Sequence, residues 1–351
     1  MFDFSTASII IILLLTLVML GVHVAISLGI TSLVGIYLAT GKMRIVEATI
    51  ASTSAEALRD FTFAVIPLFM LMGEFMGRSG AVTDIYVAIN RSLKSVPARL
   101  EIATVLGNTV FSFVTGVSIA SAAAFSRIGY PEMRTYGYNR GFALGTIAGS
   151  SVLGMLIPPS VLMIVWGILT EQSIGRLFLA GVLPGAILAC LFILYILIAA
   201  WLRPDLVGQG REAIAAAEVD PEAFDSTKIE VSKGQFTISI VGVLGIICAV
   251  LGGIWIGLFT PTEGAGAGAA LALILAFAKG MTLRGFIDAV YAVGKTAAPI
   301  LILLLCAALY SRTLAMAGVT TEIREFFVGS GFNAWTVFAI IILIWFILGM
   351  I

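Results

Sequence analysis

The residues that could bind a ligand are concentrated between residues 101 and 168, where two long apolar segments are interrupted by small polar residues and prolines. An unpaired backbone N–H or C=O group costs several kcal/mol in a bilayer, so such a segment is interrupted only where protein buries it or where it lines a polar cavity. We therefore interpret the region as a binding site formed by two interrupted helices. The first interruption contains Asn108, Thr109, Ser112, Thr115, Gly116 and Ser118, and the second contains Gly149, Ser150, Ser151, Gly154, Pro158 and Pro159.

Residues suited to catalysis are scarce. An enzyme within the membrane would need a nucleophile with a base, or paired carboxylates. Serines are abundant, but His23 is the only histidine, and its apolar segment contains no carboxylate. We therefore interpret His23 as a residue at a helix end, and we predict neither an enzyme nor a transition-metal site. The three cysteines lie far apart inside apolar runs, which favours packing over a disulfide framework: Cys190, Cys248 and Cys306.

The composition places these segments in a lipid bilayer. Hydrophobic residues make up 60% of the chain and charged residues 11%, and the mean hydropathy is +1.10, which is typical of polytopic membrane proteins. The apolar runs are about 20 residues long rather than alternating over about ten, which excludes an outer-membrane barrel. The net charge of zero and the lack of a basic arm do not suggest nucleic-acid binding. We expect an all-α polytopic membrane protein.

Basic residues flank the first interrupted segment on both sides. If residues 102–125 crossed the membrane, one basic cluster would face outward, against the positive-inside rule. A re-entrant hairpin over about residues 101–126, with its tip near Thr115 and Gly116, keeps both clusters in the cytoplasm. Residues from about 141 to 169 then form a broken helix, because each proline removes a backbone donor. The clusters are Arg78, Arg91, Lys94 and Arg99 before the segment, and Arg127, Arg134 and Arg140 after it.

The chain reads as two related halves. Residues 1–202 contain an odd number of crossings plus the hairpin, which inverts the second half relative to the first. Residues 203–234 are hydrophilic and are predicted to form a cytoplasmic linker. Residues 235–351 weakly repeat the order of the first half, with proline-containing spans around Pro67 and Pro299. Inverted repeats with broken helices are typical of secondary transporters. The second half is shorter by roughly 80 residues, so we expect an incomplete second repeat.

Several motifs resemble the large membrane subunit of the tripartite ATP-independent periplasmic (TRAP) transporters, and the resemblance extends over essentially the whole chain. Together these motifs are highly specific, although a Pro-Pro pair in an apolar run alone would be weak. They are TGVSIASAAA at 115–124, PEMRTYGYNRGFA as the following loop at 131–143, GSSVLGMLIPPS at 149–160, SIGRLFLAGVLPG at 173–185 and LGGIWIGLFTPTEGAGAGA at 251–269.

The resemblance implies a fold, a function and partners. It implies an elevator-type symporter of the bacterial inner membrane that uses sodium ions as coupling ions and needs no other cofactor. The substrate would be an organic anion of the carboxylate class, delivered by a periplasmic solute-binding protein, and a small four-span membrane subunit would complete the system. The alternative is a binding-protein-independent sodium/dicarboxylate symporter of the divalent-anion type. A passive channel would need a symmetric ring of like groups, which inverted repeats do not suggest.

The two interruptions supply oxygens that suit a hard cation such as sodium. We predict a sodium and substrate site at the tip, where Val117 replaces a hydroxyl of the family's usual Ser-Gly-Ser-Ser but keeps its backbone carbonyl. Because the interruptions contain no Arg or Lys, the charge of the anion would be met by helix N-termini, by bound sodium or by residues that this chain does not contain. The predicted site residues are Thr115, Gly116, Val117, Ser118, Gly149, Ser150, Ser151, Gly154, Pro158 and Pro159, and for the secondary candidates Asn108, Thr109 and Ser112 helix packing is an equal alternative.

Overall fold

The computed structural model describes residues 4–93, 96–208 and 233–350, and the regular structure in these ranges is helical. Their extended pairing is limited to an isolated antiparallel bridge between Tyr138 and Val207. The helices are α1 (Phe4–Met19), α2 (Val24–Thr40), α3 (Met43–Arg59), α4 (Val65–Arg78), α5 (Ala81–Ser92), α6 (Arg99–Thr115), α7 (Ser118–Thr135), α8 (Arg140–Ser151), α9 (Leu153–Leu156), α10 (Val161–Leu169), α11 (Ile174–Leu202), α12 (Lys233–Ile247), α13 (Pro261–Ala278), α14 (Leu283–Met316), α15 (Val319–Gly329) and α16 (Ala334–Met350).

Many of these helices are long and apolar enough to cross a membrane, as judged by length and composition. This confirms the predicted all-α polytopic membrane fold. Three apolar segments of α1, α2 and α16 are shorter: Ser8–Met19, Val24–Thr40 and Ala334–Gly349. The six long candidate spans are Phe61–Arg78, Arg140–Leu169, Ile174–Leu202, Phe236–Trp255, Pro261–Ala278 and Leu283–Met316.

The described chain divides into two compact units. One unit contains α1–α3 together with the chain from residue 298 onward. In it, His23 caps α2 by accepting a hydrogen bond from the Ala25 N–H group at 3.3 Å, as expected of a helix-end histidine. On α14, Arg312 pairs with Glu56 and donates to the Thr53 hydroxyl at 3.0 Å. These contacts hold α14 against α3.

The other unit, residues 61–297, contains the predicted hairpin and the broken helix. Helices α6 and α7 pack against each other and against α8, while α4 packs closely on α13. Lys279, at the end of α13, forms an ion pair with Asp84 of α5 and donates to the Ser239 hydroxyl of α12 at 2.5 Å. Both ionised side chains are mostly buried, so this cluster ties three helices together in an apolar interior.

Some helices are longer than the sequence patterns predict. The second arm of the hairpin extends beyond residue 126 and ends at Thr135, so part of the predicted loop at 131–143 is helical. Likewise, α14 runs without interruption from Leu283 through Pro299 to Met316, whereas the first half has separate helices α3 and α4 before and around Pro67. A proline interrupts the hydrogen-bond ladder but can remain inside a helix that neighbouring helices support.

The predicted linker falls largely outside the described residues, because only its first six residues and its last two are described. At its start, Pro204–Leu206 form a short 3-10 turn. The Asn139 N–H group donates to the Leu206 carbonyl at 3.0 Å, which holds the end of α11 beside the start of α8. The predicted inverted repeat and cytoplasmic placement of the linker stay predictions.

Candidate ion and substrate site at a helical hairpin

The turn of the α6–α7 hairpin lies at Gly116 and Val117. Gly116 adopts a left-handed conformation with φ of 63°, and its N–H group donates to the Ser112 carbonyl, which ends α6. Val117 is extended, and α7 begins at Ser118. Glycine is favoured at such a position because it has no Cβ to clash with the following carbonyl. The local sequence therefore turns the chain where the small residues predict the tip.

The break in the second segment lies between α9 and α10. Ile157 is extended, Pro158 and Pro159 follow, and Ser160 is the N-cap residue of α10. Prolines lack the N–H group that a continuing helix would need. The break therefore leaves backbone carbonyls of α8 and α9 and N–H groups of α10 free of intrahelical partners.

The hairpin tip lies directly against this break. The Val161 N–H group, at the start of α10, donates to the Gly116 carbonyl at 3.1 Å. A Cβ atom on Gly116 would lie only 2.3 Å from the Pro159 carbonyl oxygen, and a Cβ on Gly154 would lie 3.3 Å from the Val117 backbone. The fold thus brings the two predicted interruptions into backbone contact.

A buried polar contact joins the helices beside the tip. The Asn108 amide nitrogen donates to the Ser150 hydroxyl at 2.6 Å, and both residues are fully buried. The side-chain amide oxygen of Asn108 (Oδ1) is buried without a hydrogen-bond partner among the described residues. Such an oxygen is costly unless something polar fills the place beside it. Asn108, a secondary candidate in the sequence, is therefore central in the structure.

Four of the other predicted hydroxyls bond to their own helices. Each donates to a backbone carbonyl three or four residues earlier: Ser112 to that of Asn108 at 2.6 Å, Thr115 to that of Phe111 at 3.1 Å, Thr109 to that of Val105 at 2.8 Å and Ser151 to that of Ala148 at 2.7 Å. Each bond uses the hydroxyl proton and leaves lone pairs on the oxygen. These side chains can therefore still accept, although hydroxyls inside helices often bond in this way without any ligand.

Two residues that sequence reasoning did not select also build the site. Ser160 is fully buried, donates to the Met155 carbonyl at 2.5 Å and accepts from the Met163 N–H group, which bridges the break. Its signal was available, since a serine before an apolar run is a common N-cap. Gly73 of α4 lets the tip approach, because a Cβ there would lie 2.7 Å from Thr115 Cα. No local pattern pointed to Gly73.

A cavity of about 200 Å³ lies beside the tip. Its walls come from α4, the tip, the first turns of α7 and α14. Glu74 lines it and forms an ion pair with Arg78, four residues later on the same helix, at 2.6 Å. The lining residues are Met70, Gly73, Glu74, Thr115, Val117, Ile119, Ala120, Ala123, Ala292, Val293 and Thr296.

Comparison with known proteins identifies the family of this chain. The family model described as "Tripartite ATP-independent periplasmic transporter, DctM component" matches residues 11–351. The chain belongs to this family. TRAP permeases of this kind are transport proteins rather than enzymes, and as a member the chain is a multi-pass protein of the bacterial inner membrane.

Individual relatives in the TRAP family align over most of the chain. The C4-dicarboxylate TRAP transporter large permease protein DctM of Rhodobacter capsulatus is 29% identical over 346 residues, which cover 94% of this chain and 74% of the relative. The ectoine permease TeaC of Halomonas elongata is 29% identical over 280 residues, covering 80% and 61%. The sialic acid permease SiaM of Vibrio cholerae is 27% identical over 270 residues, covering 76% and 59%. The chain thus spans part of the length of each relative.

At the opposite end of the hairpin, this TRAP permease buries acidic residues that sequence reasoning did not select. Glu101 and Glu132 are fully buried, and Glu132 accepts a hydrogen bond from the Asn90 amide at 3.0 Å. Both oxygens of Glu101 lack a partner among the described residues. Tyr138 lies in the loop between α7 and α8. The pKa of its hydroxyl is raised mainly by burial and, to a smaller extent, by the Glu101 carboxyl. A glutamate in the first turn of a helix usually indicates only a favourable dipole interaction, so its burial was not predictable.

Proposed function

We propose that this chain is the membrane subunit of a sodium-coupled importer of an organic carboxylate. The observation that carries the proposal is the contact between the hairpin tip and the helix break, with the buried Asn108–Ser150 pair beside it. Family membership supports a transport role, and the geometry supports the position of the site.

Sodium fits the chemistry of the groups at the tip. The neutral oxygen ligands there are the Asn108 side-chain amide oxygen, which has no hydrogen-bond partner among the described residues, the Ser150 hydroxyl and the backbone carbonyls at the end of α6. A bound sodium ion would satisfy the buried Asn108 oxygen and the free carbonyls of the helix ends. Thr115, Gly116, Val117 and Ser118 would supply backbone or hydroxyl oxygens from the tip.

A carboxylate fits the cavity beside the tip. Ile119 and Ala120, in the first turn of α7, line this cavity. N–H groups in a first helical turn have no intrahelical acceptors, and the helix dipole favours a negative charge there. The Glu74 carboxylate is balanced by Arg78. We therefore place the substrate carboxylate at the start of α7, near the proposed ion.

We extend the proposal to the partners and to the elevator mechanism on the basis of family membership. The partners would be a small four-span membrane subunit and a periplasmic solute-binding protein. Three relatives are named for C4-dicarboxylate, ectoine and sialic acid, so family membership alone leaves the substrate open within organic acids and related molecules.

Uptake into proteoliposomes that contain the full-length subunit and its small partner would test the proposal. A panel of radiolabelled organic acids would be offered with and without the solute-binding protein. We expect uptake to need both sodium and the binding protein. Uptake without the binding protein would favour the divalent-anion alternative, and uptake without sodium would contradict the coupling ion.

Substitutions would then locate the ion. Asn108→Ala, Ser118→Ala and Ser150→Ala should each raise the sodium concentration for half-maximal uptake several-fold, because each removes an oxygen from the proposed site. Ser92→Ala is a matched control, since its exposed hydroxyl bonds only to the Ala88 carbonyl of α5. An unchanged sodium dependence in all three site variants would rule out this location.

A further inference from the structure

A second, larger concavity lies between α8 and α11, apart from the hairpin tip. Its volume is about 390 Å³. Phe142 and Tyr195 stand at its side with ring centroids 6.1 Å apart. We name it the α8–α11 groove, and it is lined by Asn139, Gly141, Phe142, Gly145, Thr146, Phe192, Tyr195, Ile196 and Leu206.

Glycines on α8, which have no side chain, leave the space that forms this groove. Gly141 and Gly145 are four residues apart and so lie on one face of the helix. One turn later, Gly149 is explained by packing, because a Cβ there would lie 3.2 Å from the Phe192 ring. At Gly145, however, a Cβ would meet no other atom of the described chain within 4 Å. Glycine weakens a helix interior, so Gly145 leaves room that the described part of the chain does not use.

Positive charge gathers at one end of the groove. Arg140 begins α8, Arg203 follows α11, and Arg134 lies near the end of α7, and all three are exposed. The Tyr138–Val207 bridge holds these segments together. Asp205 lies 3.5 Å from Arg203, and this pair is largely exposed. These three arginines and Asp205 together carry an excess of two positive charges, beside the first N–H groups of α8.

The groove lies between two helices of candidate membrane spans, where lipids surround a membrane protein. Helices α8 and α11 both lie in candidate membrane spans, Arg140–Leu169 and Ile174–Leu202. The basic end is the end that the positive-inside rule places in the cytoplasm. Basic pockets between helices on that side of a membrane bind anionic headgroups, while apolar walls suit an acyl chain.

We propose that the α8–α11 groove binds one anionic phospholipid. Its phosphate is held by Arg140, at the start of α8, and by Arg203, after the end of α11, and one acyl chain lies along Gly145 against the side of the Phe142 and Tyr195 rings. The charge excess selects an anionic over a zwitterionic headgroup. This site is separate from the proposed ion and substrate site, so it does not depend on the transport proposal.

Lipid titration of the detergent-purified full-length subunit tests this site. The probes are dioleoylphosphatidylglycerol and dioleoylphosphatidylcholine, and the bound lipid is counted by native mass spectrometry. We expect one phosphatidylglycerol to bind about ten-fold more tightly than phosphatidylcholine, as two arginines near a headgroup allow. Arg140→Gln should weaken phosphatidylglycerol binding about five-fold and leave phosphatidylcholine unchanged. Equal affinity of the parent protein for the two lipids would overturn the proposal.

Matched variants separate the groove from general effects on the membrane surface. Gly145→Leu fills the groove and should abolish the one-lipid peak for both lipids. Gly245→Leu is its control, because Gly245 is also exposed in a helix with no other described atom within 4 Å of a Cβ. Arg176→Gln is the control for charge, because Arg176 is exposed in the first turn of α11, at the opposite end of that helix from Arg203. The proposal fails if Gly145→Leu retains the lipid.

Two other occupants would appear as distinct results. If residues 209–232 fill the groove, their deletion should expose it and raise lipid binding. If the small subunit fills it, the assembled complex should retain no lipid while the isolated large subunit does. Either result would contradict a resident phospholipid. Retention of one phosphatidylglycerol by the complex and by the deletion variant would support it.

Discussion

At its tip, the α6–α7 hairpin meets the break in the following segment through backbone atoms, whereas at its base the same two helices bury carboxyl groups. The tip contacts include the 3.1 Å hydrogen bond from Val161 to the Gly116 carbonyl. The base contains Glu101, Glu132 and Asn90, which are all buried. The stability of the tip therefore depends on the steric fit between backbone atoms, and the stability of the base depends on the hydrogen bonding of buried carboxyl groups.

The tip tolerates few substitutions because there is no space for added atoms, and the base tolerates few because its buried polar groups need hydrogen bonds. At the tip, a single added methyl group would overlap a backbone carbonyl that cannot rotate away. At the base, the free energy of unfolding depends on which buried carboxyl oxygens find a hydrogen-bond donor. Substitutions should therefore fail for steric reasons at one end and for polar reasons at the other.

The largest effect is expected for Gly116→Ala at the tip. Its φ of 63° disfavours a side chain, and the new Cβ would lie 2.3 Å from the Pro159 carbonyl oxygen. Together these effects should lower the free energy of unfolding by about 3 kcal/mol or more. Thermal unfolding in detergent measures this. Gly80→Ala is the control, since Gly80 has a φ of 74° but no other described atom within 4 Å. Equal losses would remove the steric argument.

The next effect is expected for Asn90→Ala at the base. This change removes the amide that donates to Glu132 at 3.0 Å and leaves a buried carboxyl oxygen without that donor. We expect a loss of about 2 kcal/mol in the free energy of unfolding. The exposed Ser92→Ala on the same helix should change it by less than about 0.5 kcal/mol. A small effect of Asn90→Ala would show that the base is not held by this bond.

A smaller effect, with opposite signs one turn apart, is expected on α4. Gly73→Ala would place a Cβ 2.7 Å from Thr115 Cα and should cost about 1 kcal/mol. Gly77→Ala would meet only the Phe111 ring at 3.7 Å and should stabilise the helix by about 0.5 kcal/mol. The two melting temperatures should lie on either side of that of the parent protein. Shifts in the same direction would weaken the claim that the tip is limited by space.

The smallest effect is expected for Glu101→Met. Both oxygens of Glu101 are buried without a partner in the described chain, so an apolar side chain of similar size should leave stability unchanged or slightly higher. Glu132→Met is the matched comparison, because it takes the acceptor away from Asn90 and should cost about 1–2 kcal/mol. A strong loss for Glu101→Met would show that its carboxyl has a partner or a ligand.

Local patterns predicted the places where helices begin, turn and end. Observed helix ends coincide with three of these predicted places: the small residues around Gly116, the prolines at 158 and 159, and the helix end at His23. These features depend on backbone conformation and on N–H groups within about four residues, which the sequence displays directly.

Contacts between helices were outside the reach of those patterns. Asn108 and Ser150 are 42 positions apart, and Lys279 and Asp84 are 195 positions apart. Nothing in either neighbourhood predicts its partner, because helix pairing depends on which ridges and grooves fit once several helices pack. The length of α14 depends on packing in a related way, since a proline that would end an isolated helix persists within a packed one.

By itself, the sequence determined that this protein is helical and membrane-spanning, and where its chain turns and breaks. The apolar composition determines that the helices lie in a lipid bilayer, and glycine and proline determine the local backbone conformation. Only the tertiary structure decided which oxygens share the buried space at the tip, that Gly73 makes room for the tip, and that Glu101 has no hydrogen-bond partner within the described part of the chain. Those outcomes depend on the close packing of side chains from distant helices, and this packing is a property of the whole fold.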